Sequence, residues 1–350
     1  MAECRAQQDT AYDAPSPLKI SGFADFFYAY DFNKPGHDYR QTFLYNHNRH
    51  NQFNLNLGLI KASLLHKKFR ANAALHKGTY VNDNYAGESD FWKNVSEANA
   101  GMIIHRKKNL WIDVGIFSSH IGFESAISID HWTLTRSLLA ENSPYFQTGA
   151  KLTYSPNIKW EIVSMVCNGW QRVQKIPGNS IPSFCTQIKY TRSEKCVLNS
   201  SAFIGTDDPD STRRMRYFHN FYAILKPTEH IGVTAGFDIG IQQKEKSSSL
   251  YNCWMSPVLI IRYALTKTWA TSFRAEYYED PSGVIISQSP TKGFKTTGFS
   301  LNLDCAIHEH LLWRIEGRLL NTTYSDFNDV HKSRRENFCI TTSLAYALNR

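Results

Sequence analysis

Residues 230–242, HIGVTAGFDIGIQ, alternate apolar and polar positions along their whole length. The apolar set consists of Ile231, Val233, Ala235, Phe237, Ile239 and Ile241. The other set consists of Gly232, Thr234, Gly236, Asp238, Gly240 and Gln242. Because successive side chains of a β-strand point to opposite faces of a sheet, this pattern predicts a strand with one apolar and one polar face.

Segments of this kind recur from residue 18 to residue 348, and the connections between them are alternately long and short. We expect strands over 18–32, 53–65, 69–80, 97–105, 110–117, 145–154, 159–170, 183–191, 195–206, 216–226, 230–242, 254–265, 268–278, 296–307, 311–322 and 337–348. In the second strand, the pattern predicts that Phe53, Leu55, Leu57 and Leu59 face outward.

The strand lengths favour a membrane barrel over a soluble β-sandwich. Most of the predicted strands have about nine residues or more, which is the length that crosses a bilayer at a tilt. Only a closed barrel gives every backbone amide of a membrane sheet a partner. We therefore predict one all-β domain over residues 18–348, a transmembrane antiparallel up-and-down barrel of about sixteen strands. Both termini are expected on the periplasmic side, and a barrel of this size is expected to enclose an aqueous channel.

Composition excludes several other classes of protein. The mean hydropathy of the 350-residue chain is −0.40, and no apolar run approaches the roughly 20 residues of a membrane-spanning helix. The net charge of +8 is dispersed, which argues against a nucleic-acid partner. The seven cysteines are irregularly spaced, which predicts neither a disulfide framework nor a zinc site. No cofactor is predicted.

The first seventeen residues are polar and contain no apolar core of a secretory signal. A protein of the bacterial outer membrane must nevertheless cross the inner membrane. We therefore expect residues 1–17 to be a segment outside the barrel, with the signal peptide absent from this chain or truncated.

The longest connection, residues 118–144, is the best candidate for a pore constriction. Its charged residues include Glu124, Asp130, Arg136 and Glu141. Between them stand apolar residues, which a fully solvated loop would not need: Ile121, Phe123, Ile127, Trp132, Leu134, Leu138 and Leu139. We expect the loop to fold into the barrel and to present its charges to the channel. The alternative is a loop that only caps the mouth.

Strand parity places further charges on the polar face, toward the lumen. They are Asp25, Arg70, Asp113, Lys151, Lys189, Asp238, Arg274, Glu276, Asp304, Arg314, Glu316 and Arg318. A charge that faced lipid in mid-bilayer would cost about 2–4 kcal/mol, so these side chains should point inward. Most are expected to stabilise the wall through ion pairs, and the arginines could alternatively form a rail for anions.

Six blocks, in this order along the chain, resemble the OmpL-like outer-membrane β-barrel porins. They are FLYNHNRHNQFNLN (43–56), GIFSSHIGFESA (115–126), LAENSPY (139–145), NGWQR (168–172), MRYFHNFY (215–222) and LWRIEGR (312–318). The resemblance spans roughly residues 20–348. It implies a barrel in the bacterial outer membrane that passes small solutes passively, and it supplies no particular solute.

Three functions remain open at this stage. The first is a porin for small hydrophilic solutes or ions, embedded in outer-membrane lipid and possible as a homotrimer. The second is an outer-membrane barrel with hydrolase or ligand-binding activity, although the sequence contains no GxSxG motif and no catalytic serine stands out. The third is a soluble β-rich carbohydrate binder.

Overall fold

The computed structural model of this chain describes residues 18–287, 293–323, 327 and 334–349. The predicted polar segment 1–17 lies outside the described residues. The regular secondary structure of the described residues is almost entirely β-strand, with a few short helices in the connections.

Sixteen strands are present in the described residues. The first eight are β1 (Lys19–Asp31), β2 (Phe53–Leu65), β3 (Phe69–Lys77), β4 (Val95–His105), β5 (Leu110–Ser118), β6 (Phe146–Asn157), β7 (Trp160–Cys167) and β8 (Ser183–Ser193). The others are β9 (Cys196–Gly205), β10 (Arg216–Leu225), β11 (Ile231–Gln243), β12 (Tyr251–Ala264), β13 (Trp269–Asp280), β14 (Phe294–His308), β15 (Leu311–Thr322) and β16 (Glu336–Leu348).

The strands form one closed antiparallel barrel in which each strand pairs with its neighbours in sequence. Closure is made by β1 and β16, whose register pairs Gly22 with Leu348 and Asp31 with Cys339. The predicted all-β barrel of about sixteen strands is thus confirmed. We call the two ends of the barrel the long-loop end and the short-turn end, after the connections found there.

The apolar faces of the strands lie on the outer surface. In β11, the side chains of Phe237 and Ile239 are exposed, whereas Asp238 between them is buried on the inner side. Pro257, which cannot donate to a sheet ladder, lies in β12 with its side chain exposed. The exposed apolar rows of neighbouring strands form the surface that a bilayer would cover.

The prediction for β2 was wrong in its second half. Leu57 is 1% exposed on the inner side, whereas Ile60 is 68% exposed on the outer side. The register explains this reversal, because Asp25 pairs with Leu57 and Phe26 pairs with Leu55, which leaves Asn56 as the extra residue of a β-bulge. One extra residue moves all following side chains to the other face, so Leu59 also points inward.

Short helices occur in the connections at the long-loop end: α1 (Thr79–Asn84), α2 (Asp90–Lys93) and α3 (Leu138–Glu141). Two 3-10 turns cover Arg106–Lys108 and Ser128–Asp130. The strand predicted to run to Tyr80 ends at Lys77, because Gly78 adopts φ +139° and redirects the chain into α1. No described helix is both long enough and apolar enough to span a membrane.

The barrel interior is more filled than the expected aqueous channel. Near the long-loop end, inward side chains and loop residues form a hydrophobic cluster that includes Trp170, Phe203, Phe218 and Trp254. The Trp170 ring lies edge-on to both phenylalanine rings, with centroids 5.0 and 4.8 Å away. Water-accessible space is therefore restricted in this half of the barrel.

Candidate pore constriction

Residues 118–144, which we call the inward loop, lie inside the barrel. The loop leaves the end of β5, passes through the 3-10 turn at Ser128–Asp130 and includes α3. The side chains of Leu134, Leu138 and Ala140 are fully buried. Their apolar character is explained by this position, since a loop that only capped the mouth would leave them in water.

Glycines on the inner face of β11 receive aromatic side chains of the inward loop. A Cβ added to Gly232 would lie 2.5 Å from Cη2 of Trp132, and one added to Gly236 would lie 2.6 Å from Cε1 of Phe123. Both distances are shorter than any tolerated carbon contact. Gly232 and Gly236 therefore form a shallow surface against which the loop packs.

Wall side chains accept hydrogen bonds from the backbone of the inward loop. The amide of Thr135 donates to Glu316 Oε2 at 2.6 Å, and the amide of Leu138 donates to Glu276 Oε2 at 2.6 Å. The amide of Leu134 donates to Asn302 Oδ1 at 3.0 Å. A buried loop has no sheet partner for its N–H groups, so these acceptors make its burial possible.

The same carboxylates are paired with arginines of the wall. Arg274 bonds Glu316 at 2.7 Å, and Arg318 bonds Glu276 at 2.7 Å. All four side chains are buried, and Arg274 also donates to the carbonyl oxygen of Thr135 at 2.6 Å. Carboxylate, guanidinium and loop backbone thus form one buried network between the inward loop and strands β13 and β15.

Arg314 extends this network to the 3-10 turn of the loop. Its guanidinium donates to Asp304 at 2.7 Å and to the carbonyl oxygen of Ser128 at 2.6 Å. Arg262 also donates to Asp304, at 2.8 Å. The predicted wall arginines 274, 314 and 318 are therefore covered by the loop and paired, and they do not form an exposed row.

Asp25, on the opposite wall, links two loops. Its Oδ2 accepts from Ser128 Oγ of the inward loop at 2.7 Å. The same oxygen lies 2.9 Å from Nε2 of His47, which belongs to the connection between β1 and β2. All three side chains are buried. The inward loop is consequently held from the β1 side as well as from the β11–β15 side.

Three of the four predicted constriction residues, Glu124, Arg136 and Glu141, are buried, and two of them contact Tyr145. The guanidinium of Arg136 stacks on the Tyr145 ring at 3.6 Å, and the tyrosine hydroxyl donates to Glu141 at 3.0 Å. Glu124 accepts from the amide of Ser137 at 3.0 Å. Burial raises the pKa of both glutamates and lowers the pKa of Arg136, although the opposite charges partly counter each shift.

The fourth residue, Asp130, has a different environment. Its side chain is exposed and accepts from Ser125 Oγ at 3.2 Å. It lines a cavity to which Glu124 also contributes. The structure thus brings Glu124, Arg136 and Glu141 together in the barrel and places Asp130 beside the open space.

The other predicted lumen charges also lie on the inner wall. Arg70 and Asp113 form an ion pair with two hydrogen bonds: Arg70 Nε donates to Oδ1 of Asp113 at 2.6 Å, and Nη2 donates to Oδ2 at 2.5 Å. Lys151, paired in register with Asp113, lies 4.2 Å from the Phe117 ring centroid, and Lys189 is half-buried. Asp238 is buried and accepts from Asn220 at 2.5 Å.

A cavity of about 410 Å³ separates the inward loop from strands β1–β5. At the short-turn end it is bordered by Lys19, Ser63 and Asn349. At its other end lie Tyr80, Tyr85 and Tyr145, whose side chains are buried. The cavity thus lies between the inward loop and one part of the barrel wall.

The glycines of β11 and the serines of the cavity lining were not identified as functional from the sequence. Glycine on the polar face of an otherwise regular strand was the available signal, because it indicates a close approach of another group. The lining serines gave no signal, since serine is common on any solvated face. The described residues contain no cluster of three or more metal-ligating side chains.

Comparison with known proteins identifies the family. Residues 17–348 match the model of the family described as "beta-barrel porin-2, OmpL-like". No curated protein matches the chain in sequence.

Solved outer-membrane proteins share the fold at low sequence identity. The outer membrane channel DcaP of Acinetobacter baumannii is similar, with a TM-score of 0.64, 10% identity, and coverage of 96% of this chain and 98% of that chain. The anion-selective porin from Comamonas acidovorans is similar with a TM-score of 0.63 and 7% identity, and the match covers 95% of this chain and 100% of that porin. The trimer form of OmpT from Vibrio cholerae is similar with a TM-score of 0.60 and 6% identity, and the match covers 96% of this chain and 100% of that chain.

Proposed function

Because the chain belongs to the OmpL-like family of outer-membrane β-barrel porins, we propose that small hydrophilic solutes or ions diffuse through it passively and are filtered at the inward loop. One observation carries the proposal. The inward loop is bound to strands β11–β15, and a cavity of about 410 Å³ remains between the loop and strands β1–β5. A solute would pass through this space.

In this proposal, residues 18–348 are a single transmembrane barrel in the bacterial outer membrane, and residues 1–17 are not part of it. The long-loop end faces the outside, and the short turns and both termini face the periplasm, as in other barrels of this kind. Protease added to intact cells would cut at the long loops only, and cleavage at the short turns would contradict this orientation.

Glu124, Arg136 and Glu141 supply the charges of the filter. Arg136 and Glu141 lie against Tyr145, whose side chain borders the cavity, while Glu124 and Asp130 border it directly. Opposed acidic and basic groups in a space of low dielectric constant produce a field across the path, which acts on the charge and the dipole of a passing solute. The paired wall charges Arg274, Glu276, Arg314, Glu316 and Arg318 support the loop.

Reconstitution of the folded protein in planar lipid bilayers tests the proposal. We expect stepwise current increases as single barrels insert, with a small unitary conductance because the loop and the hydrophobic cluster fill much of the interior. Folding is checked beforehand by the change in electrophoretic mobility on boiling. Absence of steps from correctly folded protein would refute a diffusion channel.

Hydrolase activity is the second candidate function, and one contact favours testing it. Ser200 Oγ lies 3.3 Å from Nε2 of His219, the arrangement of a nucleophile and its base. Both side chains are on the outer surface of β9 and β10, in the lipid-facing band, where water for hydrolysis is scarce. We therefore expect Ser200→Ala to leave an ester-hydrolysis screen unchanged, and loss of a measurable activity would favour the enzyme.

A homotrimer is the assembly that we propose. The lipid-facing surface carries polar groups at one level of neighbouring strands: Ser164 pairs with Thr186, and His219 lies two strands further along, beside Ala202. Hydrocarbon offers such groups no hydrogen bonds, whereas a neighbouring protomer does. Native mass spectrometry should give a trimer that His219→Leu weakens, and a monomer for the unmodified chain would contradict the assembly.

A further inference from the structure

The cavity beside the inward loop is lined mainly by uncharged groups. Six serines contribute to the lining: Ser21, Ser63, Ser96, Ser118, Ser119 and Ser125. Aromatic and aliphatic side chains fill the rest, among them Phe23, Tyr85 and Leu59. The lining thus combines hydrogen-bonding hydroxyls with aromatic and aliphatic side chains.

The charged groups of the lining are largely compensated. Nζ of Lys61 lies 2.9 Å from each carboxylate oxygen of Glu97, and the hydroxyl of Ser118 donates to Glu97 at 3.0 Å. Glu124 accepts from the Ser137 hydroxyl at 2.5 Å, and its burial raises its pKa. Lys19 and Asp130, the other charged side chains of the lining, are opposite in sign, so the cavity has little net charge with which to hold an ion.

Aromatic rings bound the cavity at its inner end and at one side. The Tyr80 and Tyr145 rings lie 4.9 Å apart, and the Tyr85 ring stacks on Phe146 at 4.2 Å. These rings are packed against one another and buried, so their positions are fixed before a ligand arrives. Phe23 of β1 adds a further aromatic side chain to the lining. Preorganised surfaces of this kind reduce the ordering cost of binding.

We propose that this cavity is a binding site for a neutral polyhydroxylated solute of the size of a small sugar. Such a molecule has hydroxyl groups for the serines and C–H faces for the aromatic rings, and it requires no counter-charge. A volume of about 410 Å³ lies within the range of small-molecule sites. The inference rests on the proposed channel function, since it names the solute class that the channel retains longest on its path.

Binding is measured without reference to conduction. The folded protein in lauryldimethylamine oxide micelles, a detergent without sugar groups, is titrated with glucose, gluconate or glucosamine, and saturation-transfer NMR reports contact with the protein. We expect glucose to give the strongest signal and its anionic and cationic relatives weaker ones. No glucose signal, or equal signals from all three, would overturn the proposal.

Two phenylalanines of β1 provide a matched pair of variants. Phe23 is buried against the cavity, whereas Phe26 is exposed on the lipid-facing side of the same strand. Phe23→Leu removes an aromatic face with little change of volume and should weaken glucose binding about five-fold. Phe26→Leu should leave it unchanged. Equal effects of the two variants would contradict the site.

A second pair covers the case in which Phe23→Leu fails to fold. Ser21→Val removes a lining hydroxyl at nearly constant size, and Ile20→Val changes the neighbouring exposed side chain. The former should weaken glucose binding and the latter should not, and equal binding in both would overturn the site. Current recordings in planar bilayers distinguish failure of the sugar site from failure of the channel. If the protein conducts but does not bind glucose, only the sugar site is refuted. If it binds glucose but does not conduct, only the channel is refuted.

Discussion

The indole of Trp132 occupies the space that a side chain would take at position 232. A Cβ built on Gly232 would lie 2.5, 2.9 and 3.1 Å from three carbons of that indole. The absence of a side chain on one wall strand is thus matched to the largest aromatic residue of the inward loop. Loop and wall are complementary in shape at this point, in addition to their hydrogen bonds.

We predict that Gly232→Ala displaces Trp132 and loosens the inward loop. The overlap with the indole should cost about 1–3 kcal/mol of unfolding free energy, as in other overpacked sites. Unitary conductance should rise or become variable, because the displaced loop no longer confines the path. Chemical denaturation followed by tryptophan fluorescence gives the first quantity, and planar bilayers give the second.

Gly317→Ala is the matched control for that substitution. A Cβ on Gly317 would lie 3.6 Å from the Phe338 ring, which is an ordinary contact on the outer side. Gly317→Ala should change the unfolding free energy by no more than about 0.5 kcal/mol. If both variants behaved alike, the close approach at Gly232 would have no structural role.

Glu276 connects a wall strand, two arginines and the inward loop, so its replacement should be costly. Glu276→Gln removes the charge that pairs with Arg318 at 2.7 Å and Arg274 at 3.2 Å, leaving both guanidinium groups undercompensated in a buried region. We expect a loss of about 3–5 kcal/mol of unfolding free energy, the usual cost of breaking a buried ion pair.

Glu279 of the same strand supplies the comparison. Its ion pair with Lys295 is 3.4 Å long and partly exposed, so Glu279→Gln should cost about 0–1 kcal/mol. Both values come from denaturant unfolding under identical conditions. Equal losses would mean that the buried network contributes no more than a surface pair.

The barrel could be predicted from sequence because its governing signal is local. Strand parity requires only the identity of each residue, and it correctly assigned Phe237 outward and Asp238 inward. The same reasoning failed at Leu57, because a bulge at Asn56 depends on how two strands pair and leaves no mark in the alternation of one strand. The alternation of residues therefore predicts the face of each side chain correctly only up to a β-bulge.

The arrangement inside the barrel could be predicted only in part. The apolar residues of the inward loop indicated that it needs a surface to pack against, and Leu138 is indeed buried. Sequence could not indicate that Arg274 and Glu316 would be covered by that loop, because their contacts join residues about 140 and 180 positions apart. Such distant pairings depend on the three-dimensional fold.

The pH dependence of stability should reveal the burial of Glu124. Burial raises the pKa of this carboxyl above its ordinary value of 4.5, so the folded state binds the proton at a higher pH than the unfolded state. Its contribution to stability is therefore complete below pH 4.5 and is lost as the pH rises through the folded-state pKa. Glu124→Gln removes this contribution.

The measured quantity is the difference in unfolding free energy between the unmodified chain and Glu124→Gln from pH 7 to pH 4.5. This difference should shift in favour of the unmodified chain as the pH falls. His120, whose pKa burial lowers to about 4, acts in the opposite direction, but it is present in both proteins and cancels. A difference that stays constant with pH would show that Glu124 does not titrate differently on folding.

Asp25 should be required for the position of two loops at once. Asp25→Ala would leave the Ser128 hydroxyl and the His47 imidazole without their shared acceptor, in a buried region. We expect a loss of about 1–3 kcal/mol of unfolding free energy and a noisier open-channel current, because each loop gains freedom. Asp90→Asn, at an exposed ion pair of 3.2 Å with Lys93, should change neither quantity appreciably. Single-channel recordings and denaturant unfolding of both variants measure these effects, and a quiet, stable Asp25→Ala channel would mean that the loops are held in place without this carboxylate.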